Sequence, residues 1–169
     1  PHTRSLFRDL ASLRFLILSP SSASLVAPAN APRTLWGSLA DATRLQTLAL
    51  IDMPDLPPID PSLVPPARLS ALRRVSIRCG GILEHAHTWT FLAGLPNLTQ
   101  LDFDATSVSV SLGAQAFEAK ATGSCAPLQQ LRTYCVSGTA SPTDAHFAGL
   151  LSCFPTLTDV ELLTQIGIT

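Results

Sequence analysis

A six-residue pattern with apolar side chains at its first, fourth and sixth positions returns along this chain, and no other feature constrains the fold as tightly. It reads Leu13-Leu16-Leu18, Leu45-Leu48-Leu50, Leu72-Val75-Ile77, Leu98-Leu101-Phe103, Leu128-Leu131-Thr133 and Leu157-Val160-Leu162. The first positions 13, 45, 72, 98, 128 and 157 lie 32, 27, 26, 30 and 29 residues apart. The fourth and sixth positions are two apart, so they share one face of a short strand. The first points inward from the approach to that strand. One such strand cannot bury its apolar face alone, whereas stacked copies share a continuous core. The intervals are long enough for the crossovers that parallel strands require. The fifth copy is the weakest, because Thr133 stands where an apolar residue should.

A second set of residues predicts what fills the crossovers. Three positions before each first residue stand Leu10, Ala42, Leu69, Leu95, Cys125 and Phe154, and six before stand Phe7, Leu39, Pro66, Leu92, Thr122 and Leu151. Phe147, Leu150, Leu151 and Phe154 fall on an amphipathic helical period. Ser141-Pro142-Thr143-Asp144 would start that helix with a cap, an early proline and an early acid. Helices are therefore expected in most crossovers. Residues 54–66 are the exception: Pro54, Pro57, Pro58, Pro61, Pro65 and Pro66 forbid a regular helix and predict an extended, polyproline-like path. A domain linker is the rival reading of this stretch, disfavoured because the period runs through it.

Composition agrees with one folded domain spanning 1–169. Hydrophobic residues are 46 % and charged residues 14 %, against disorder; leucine alone supplies 28 residues. The net charge of −1 offers no electrostatic footprint for nucleic acid or an anionic membrane. No apolar run reaches the roughly 18–20 residues that span a bilayer, and no leader is visible. Cys79, Cys125, Cys135 and Cys153 form no C-x-x-C pair. They read as reduced, mostly buried thiols, or alternatively as one or two disulfides, and a cytoplasmic or nuclear protein is expected.

Chemistry-bearing motifs are sparse. Glu84-His85-Ala86-His87 could chelate an ion if both histidines shared a strand face, but no third ligand is evident and a solvated loop or helix start is the better reading. Gly80-Gly81 opens no phosphate-binding pattern. Asn97-Leu98-Thr99 meets the glycosylation acceptor rule beside a residue that should be buried, which argues against its use. No nucleophile has a visible base. The expectation is a chain with no enzymatic activity, no metal and no cofactor.

The phrases Phe91-Leu92-Ala93-Gly94-Leu95-Pro96-Asn97-Leu98-Thr99-Gln100-Leu101-Asp102-Phe103 and Leu150-Leu151-Ser152-Cys153-Phe154-Pro155-Thr156-Leu157-Thr158-Asp159-Val160-Glu161-Leu162 resemble the leucine-rich repeat superfamily. The likeness is to the long, irregular repeats of ribonuclease-inhibitor-like and fungal F-box proteins. It implies an α/β solenoid, a horseshoe of about six parallel strands on the concave face with helices and irregular crossovers on the convex face. The Asn or Cys that regular families carry three residues past each strand is replaced by Ser21, Met53, Gly80, Thr106, Val136 and Gln165, so irregular turns are expected there. No F-box segment is present, so adaptor binding does not carry over. With the chain starting at Pro1 and no polar capping repeat at either end, a fragment with flanking repeats or an adaptor outside it is expected.

In such a solenoid the side chains between the inward leucines form the binding face. The candidates are Phe15, Ile17, Ile51, Arg74, Arg78, Asp102, Asp104, Arg132, Tyr134, Asp159 and Glu161, with Thr47, Ala49, Ser76 and Gln100 among them. Aromatic and arginine anchors suit a protein-recognition strip. Equally, Arg74 and Arg78 could face Asp102 and Asp104 across adjacent strands and merely solubilise the sheet. Phe15, Ile17 and Ile51 form an apolar end, either a contact patch or a surface packed on sequence outside this chain. The expected role is a protein-protein interaction scaffold. The resemblance implies the substrate-recognition repeats of an F-box-like ubiquitin-ligase receptor, and the alternative is a non-ligase structural or extracellular binding module. The expected partner is another protein, with no nucleic acid and no membrane.

Overall fold

The computed structural model describes residues 10–19, 31–53, 56–104, 133–138 and 158–164. Strands β1 (Phe15–Leu18), β2 (Thr47–Ile51), β3 (Arg74–Arg78), β4 (Gln100–Asp104), β5 (Thr133–Gly138) and β6 (Asp159–Thr164) lie in one sheet in chain order. Every pairing is parallel. The molecule is thus α/β with a parallel sheet whose neighbours in space are neighbours in sequence.

The leucine pattern sets the register. Leu16, Leu48, Val75 and Leu101 stand opposite one another in successive strands, as do Leu18, Leu50, Ile77 and Phe103. From β2 to β4 both rows are buried, and they open toward the edges, where Leu16 is half-buried and Val160 is 38 % exposed. An edge strand has a covering neighbour on one side only.

A backbone motif repeats with the same beat. The Arg14 carbonyl accepts the N–H groups of Gln46 and Thr47, the Gln46 carbonyl those of Arg73 and Arg74, and the Arg73 carbonyl those of Thr99 and Gln100. Each acceptor follows the first leucine of its copy by one residue. One geometry therefore joins four successive copies at the entry to the strand. Side chains add to it at the last junction, where Asn97 Nδ2 donates to the Ser70 carbonyl at 2.7 Å and Thr99 Oγ1 to the Arg73 carbonyl at 3.0 Å.

The fifth copy departs from the sequence-based register. Tyr134, not Leu131, pairs with Leu101 and with Val160, and Val136, not Thr133, pairs with Phe103 and Leu162. The copy is therefore Leu131-Tyr134-Val136, and its first positions give spacings of 33 (98 to 131) and 26 (131 to 157). Leucines at 128 and 131 are three apart, so either satisfies the first two apolar positions, and only the sixth position distinguishes them. A slip of three, being odd, exchanges the two faces of the strand.

The first and third crossovers contain helices. In α1 (Ala31–Leu39) a proline in the first turn costs no helical bond, and Leu35, Trp36 and Leu39 form the stripe that meets the sheet. Between β3 and β4 lie α2 (Gly80–Leu83) and α3 (Ala86–Ala93). From α3, Trp89 meets Phe103 edge-on with ring centroids 5.1 Å apart, and its Nε1 donates to the Leu83 carbonyl at 2.8 Å. The helix expected around 143–154 lies outside the described residues.

The proline-rich crossover is irregular, as its composition requires. Pro65 has φ −58° and ψ 122°, a polyproline-like conformation, and a single 3-10 turn spans Pro66–Leu69. Ile59, Val64 and Leu69 are fully buried and occupy the place a helical stripe would fill. Asp60 shapes the bend, its carboxylate accepting the Ser62 N–H at 2.8 Å. The Ile59 N–H finds the hydroxyl of fully buried Thr88 at 3.3 Å, which ties this crossover to α3. Gly94, which caps α3, is needed for space: a Cβ there would sit 2.7 Å from Pro66 Cγ and 3.0 Å from Pro66 Cβ.

Among the described residues no helix is long and apolar enough to cross a membrane.

Candidate functional site

The crossover helices cover one face of the sheet, and the other carries the residues between the buried rows. That outer face has three columns in register. The first runs Phe15, Thr47, Arg74, Gln100, Thr133, Asp159; the second runs Ile17, Ala49, Ser76, Asp102, Cys135, Glu161. In the third, Ile51 pairs with Arg78 and Asp104 with Ser137 and then Leu163.

Most of the sequence candidates fall in these columns. Phe15 and Ile17 are 63 % and 61 % exposed on β1, while Ile51 is half-buried at the end of β2. Arg74 and Arg78 are exposed on β3, Asp102 and Asp104 half-buried on β4, and Asp159 and Glu161 exposed on β6. Tyr134 is a correction. Its backbone position is in the row of Leu101 and Val160, so Thr133, Cys135 and Ser137 take the outer-column positions on β5. Arg132 lies outside the described residues. The signal that could have found the three β5 positions is Val136, the apolar residue two beyond Tyr134.

The charges of the face are partly self-neutralised. Arg78 Nη2 donates to Asp102 Oδ2 at 3.2 Å, and the same oxygen accepts the Ser76 hydroxyl at 3.2 Å. Asp102 rather than Asp104 takes the arginine, because Ser76 stands directly opposite Asp102 and a long guanidinium reaches diagonally across the pair. Arg78 is 55 % exposed, so this pair contributes only about 0–1 kcal/mol. Among the described residues, Arg74 and Asp104 form no ion pair.

The turn after β2 carries a contact to the turn after β3. Asp52 adopts φ 51°, a left-handed conformation that aspartate tolerates, and its N–H donates to the Arg78 carbonyl at 3.0 Å. The next N–H, of Met53, donates to Cys79 Sγ at 3.4 Å. Cys79 is a buried free thiol. Burial pushes its pKa up, the Met53 N–H works against that, and the nearby Asp52 carboxylate adds to the rise. A thiol held protonated in this way is a hydrogen-bonding spacer and a poor nucleophile.

Glu84, His85 and His87 sit where α3 begins, all exposed, with His85 preceding the first turn. A helix start does not put His85 and His87 on one strand face. Among the described residues no group of three or more His, Cys, Asp or Glu side chains gathers at one point. The glycosylation-type Asn97 uses its amide nitrogen to hold the Ser70 carbonyl.

Compared with models of protein families, with curated proteins and with solved structures, the chain matches none.

Proposed function

We propose that this chain is a solenoid of irregular leucine-rich repeats and acts as a protein-protein interaction scaffold, with the outer, concave face of the sheet as its recognition surface. The observation that carries the reading is the sheet's strict chain order, with the same double backbone bond at Arg14, Gln46 and Arg73 entering successive strands. One unit stacked on its predecessor produces that pattern. An open doubly wound sheet reverses its strand order at a switch point and places its ligand there. Here the described strands have no such reversal.

The face suits a broad partner surface. It is mixed in charge and carries exposed aromatic, aliphatic and arginine side chains of the kinds that anchor interfaces. The resemblance to F-box-type repeats makes the substrate-recognition part of a ubiquitin-ligase receptor the biological setting we favour. The buried free thiol of Cys79 supports a reducing compartment, cytoplasm or nucleus.

Capture from an extract of the cells that make the protein tests the reading. The immobilised chain should retain a partner that is lost when Arg74, Asp104 and Glu161 are all changed to alanine. The same partner should be kept when Glu84→Ala alters the crossover side. Retention that ignores the outer-face triple variant would contradict the proposal.

A further inference from the structure

The three strands β1 to β3 differ in side-chain height on the outer face. Phe15 and Ile17 stand on β1, 63 % and 61 % exposed. Beside them in register, β2 offers Thr47 and Ala49, and Ala49 is only 8 % exposed. Beyond, β3 offers exposed Arg74 in register with Thr47, and Ser76 in register with Ala49. Thr47 between Phe15 and Arg74, and Ala49 beside Ile17, make a short trough along β2, walled on the β3 side by Arg74 and ended by half-buried Ile51. Its walls are two inter-strand spacings apart, about 10 Å.

The walls are chemically unlike. One is purely apolar and the other is headed by Arg74. Asp102 already engages Arg78 and Ser76, so Arg74 keeps its charge for an outside group. The acids Asp159 and Glu161 lie at the far edge of the sheet, on β6.

An extended peptide fits this shape and charge. Its side chains alternate at a period of two, so apolar residues would face β1 while acidic ones face Arg74. Phe15 and Ile17 have the same spacing along their strand. Resting on the reading of the outer face as the recognition surface, we propose that the β1–β3 trough binds an extended segment of a partner protein in which apolar and acidic residues alternate. Phe15 and Ile17 hold the apolar side chains and Arg74 pairs with a carboxylate.

The test uses a fluorescein-labelled nine-residue peptide alternating glutamate and leucine, read by fluorescence anisotropy on the whole chain. The peptide should bind, and Phe15→Ser and Arg74→Glu should each weaken it at least tenfold, with circular-dichroism melts matching the parent. A lysine-leucine peptide should fail on the parent and gain affinity on Arg74→Glu. The proposal is overturned by no binding of the glutamate-leucine peptide, by binding indifferent to both substitutions, or by tighter binding of a nine-residue oligothymidylate. A protein captured through Asp104 and Glu161 that ignores Phe15→Ser and Arg74→Glu would overturn this inference and leave the recognition-face reading intact. Capture indifferent to all four positions would overturn that reading itself.

Discussion

Cys79 shows how one side chain acquires a role from its position between copies. Its sulfur accepts the Met53 N–H from the neighbouring turn, and burial holds the thiol protonated. The sign of the linkage follows. The folded state binds this proton more tightly than the unfolded state, so the stability the group contributes is complete below the ordinary thiol value, about 8.5. It is lost as pH rises through the higher folded value. Alkylation followed by peptide mass spectrometry should find Cys79 more than tenfold slower in the native than in the denatured chain at pH 8. The gap should narrow as pH climbs toward 10. Equal native and denatured rates at pH 8 would mean that the thiol is neither buried nor shifted. The sequence made Cys79 a buried thiol by composition alone. Its partner was not legible, because Met53 lies 26 residues away and donates through its backbone.

At the scale of elements, the irregular crossover and α3 depend on each other through two contacts. Thr88→Val would keep the shape but leave the buried Ile59 N–H without its acceptor, at a cost of about 1–3 kcal/mol in urea denaturation. Thr88→Ser keeps the oxygen and should lose less; equal losses would show that the methyl group, not the hydrogen bond, matters. Gly94→Ala would drive a methyl group into the Pro66 ring and should cost about 1–3 kcal/mol, with Pro66→Ala recovering part of it in the double variant. Purely additive effects would mean that the ring moves aside. Neither contact was legible. The six prolines announced the absence of a helix, but which apolar residues would plug the gap depends on where the chain bends. Asp60 sets that bend locally.

At the scale of the molecule, the strand order and the buried rows of β2 to β4 were legible, because their apolar residues recur at a near-constant interval. The exposed apolar end was legible too, since Phe15 and Ile17 alternate with Leu16 and Leu18 on β1. The charge pairing was half legible. The sequence brought Arg74 and Arg78 close to Asp102 and Asp104, but the choice of Arg78 with Asp102 belongs to side-chain reach. The fifth strand was misread because Leu128, Leu131 and Tyr134 are spaced by threes, a spacing that fits the approach to the strand at two different offsets. The consequence is large. That slip moves Tyr134 from the outer columns to the inner row and brings Cys135 into register with Asp102.

The most direct test of the account is therefore a strand-to-strand cross-link at this position. Asp102→Cys is paired with the native Cys135 in a chain whose other cysteines, at 79, 125 and 153, are changed to alanine. Opposed residues of adjacent strands lie about 4.8 Å apart, inside the range a disulfide spans. The register predicts rapid cross-linking of this pair under mild oxidation. It predicts none for Asp102→Cys with Arg132→Cys once Cys135 is serine. The reverse outcome, with the 102–132 pair closing and the 102–135 pair open, would contradict the register and the outer face built on it.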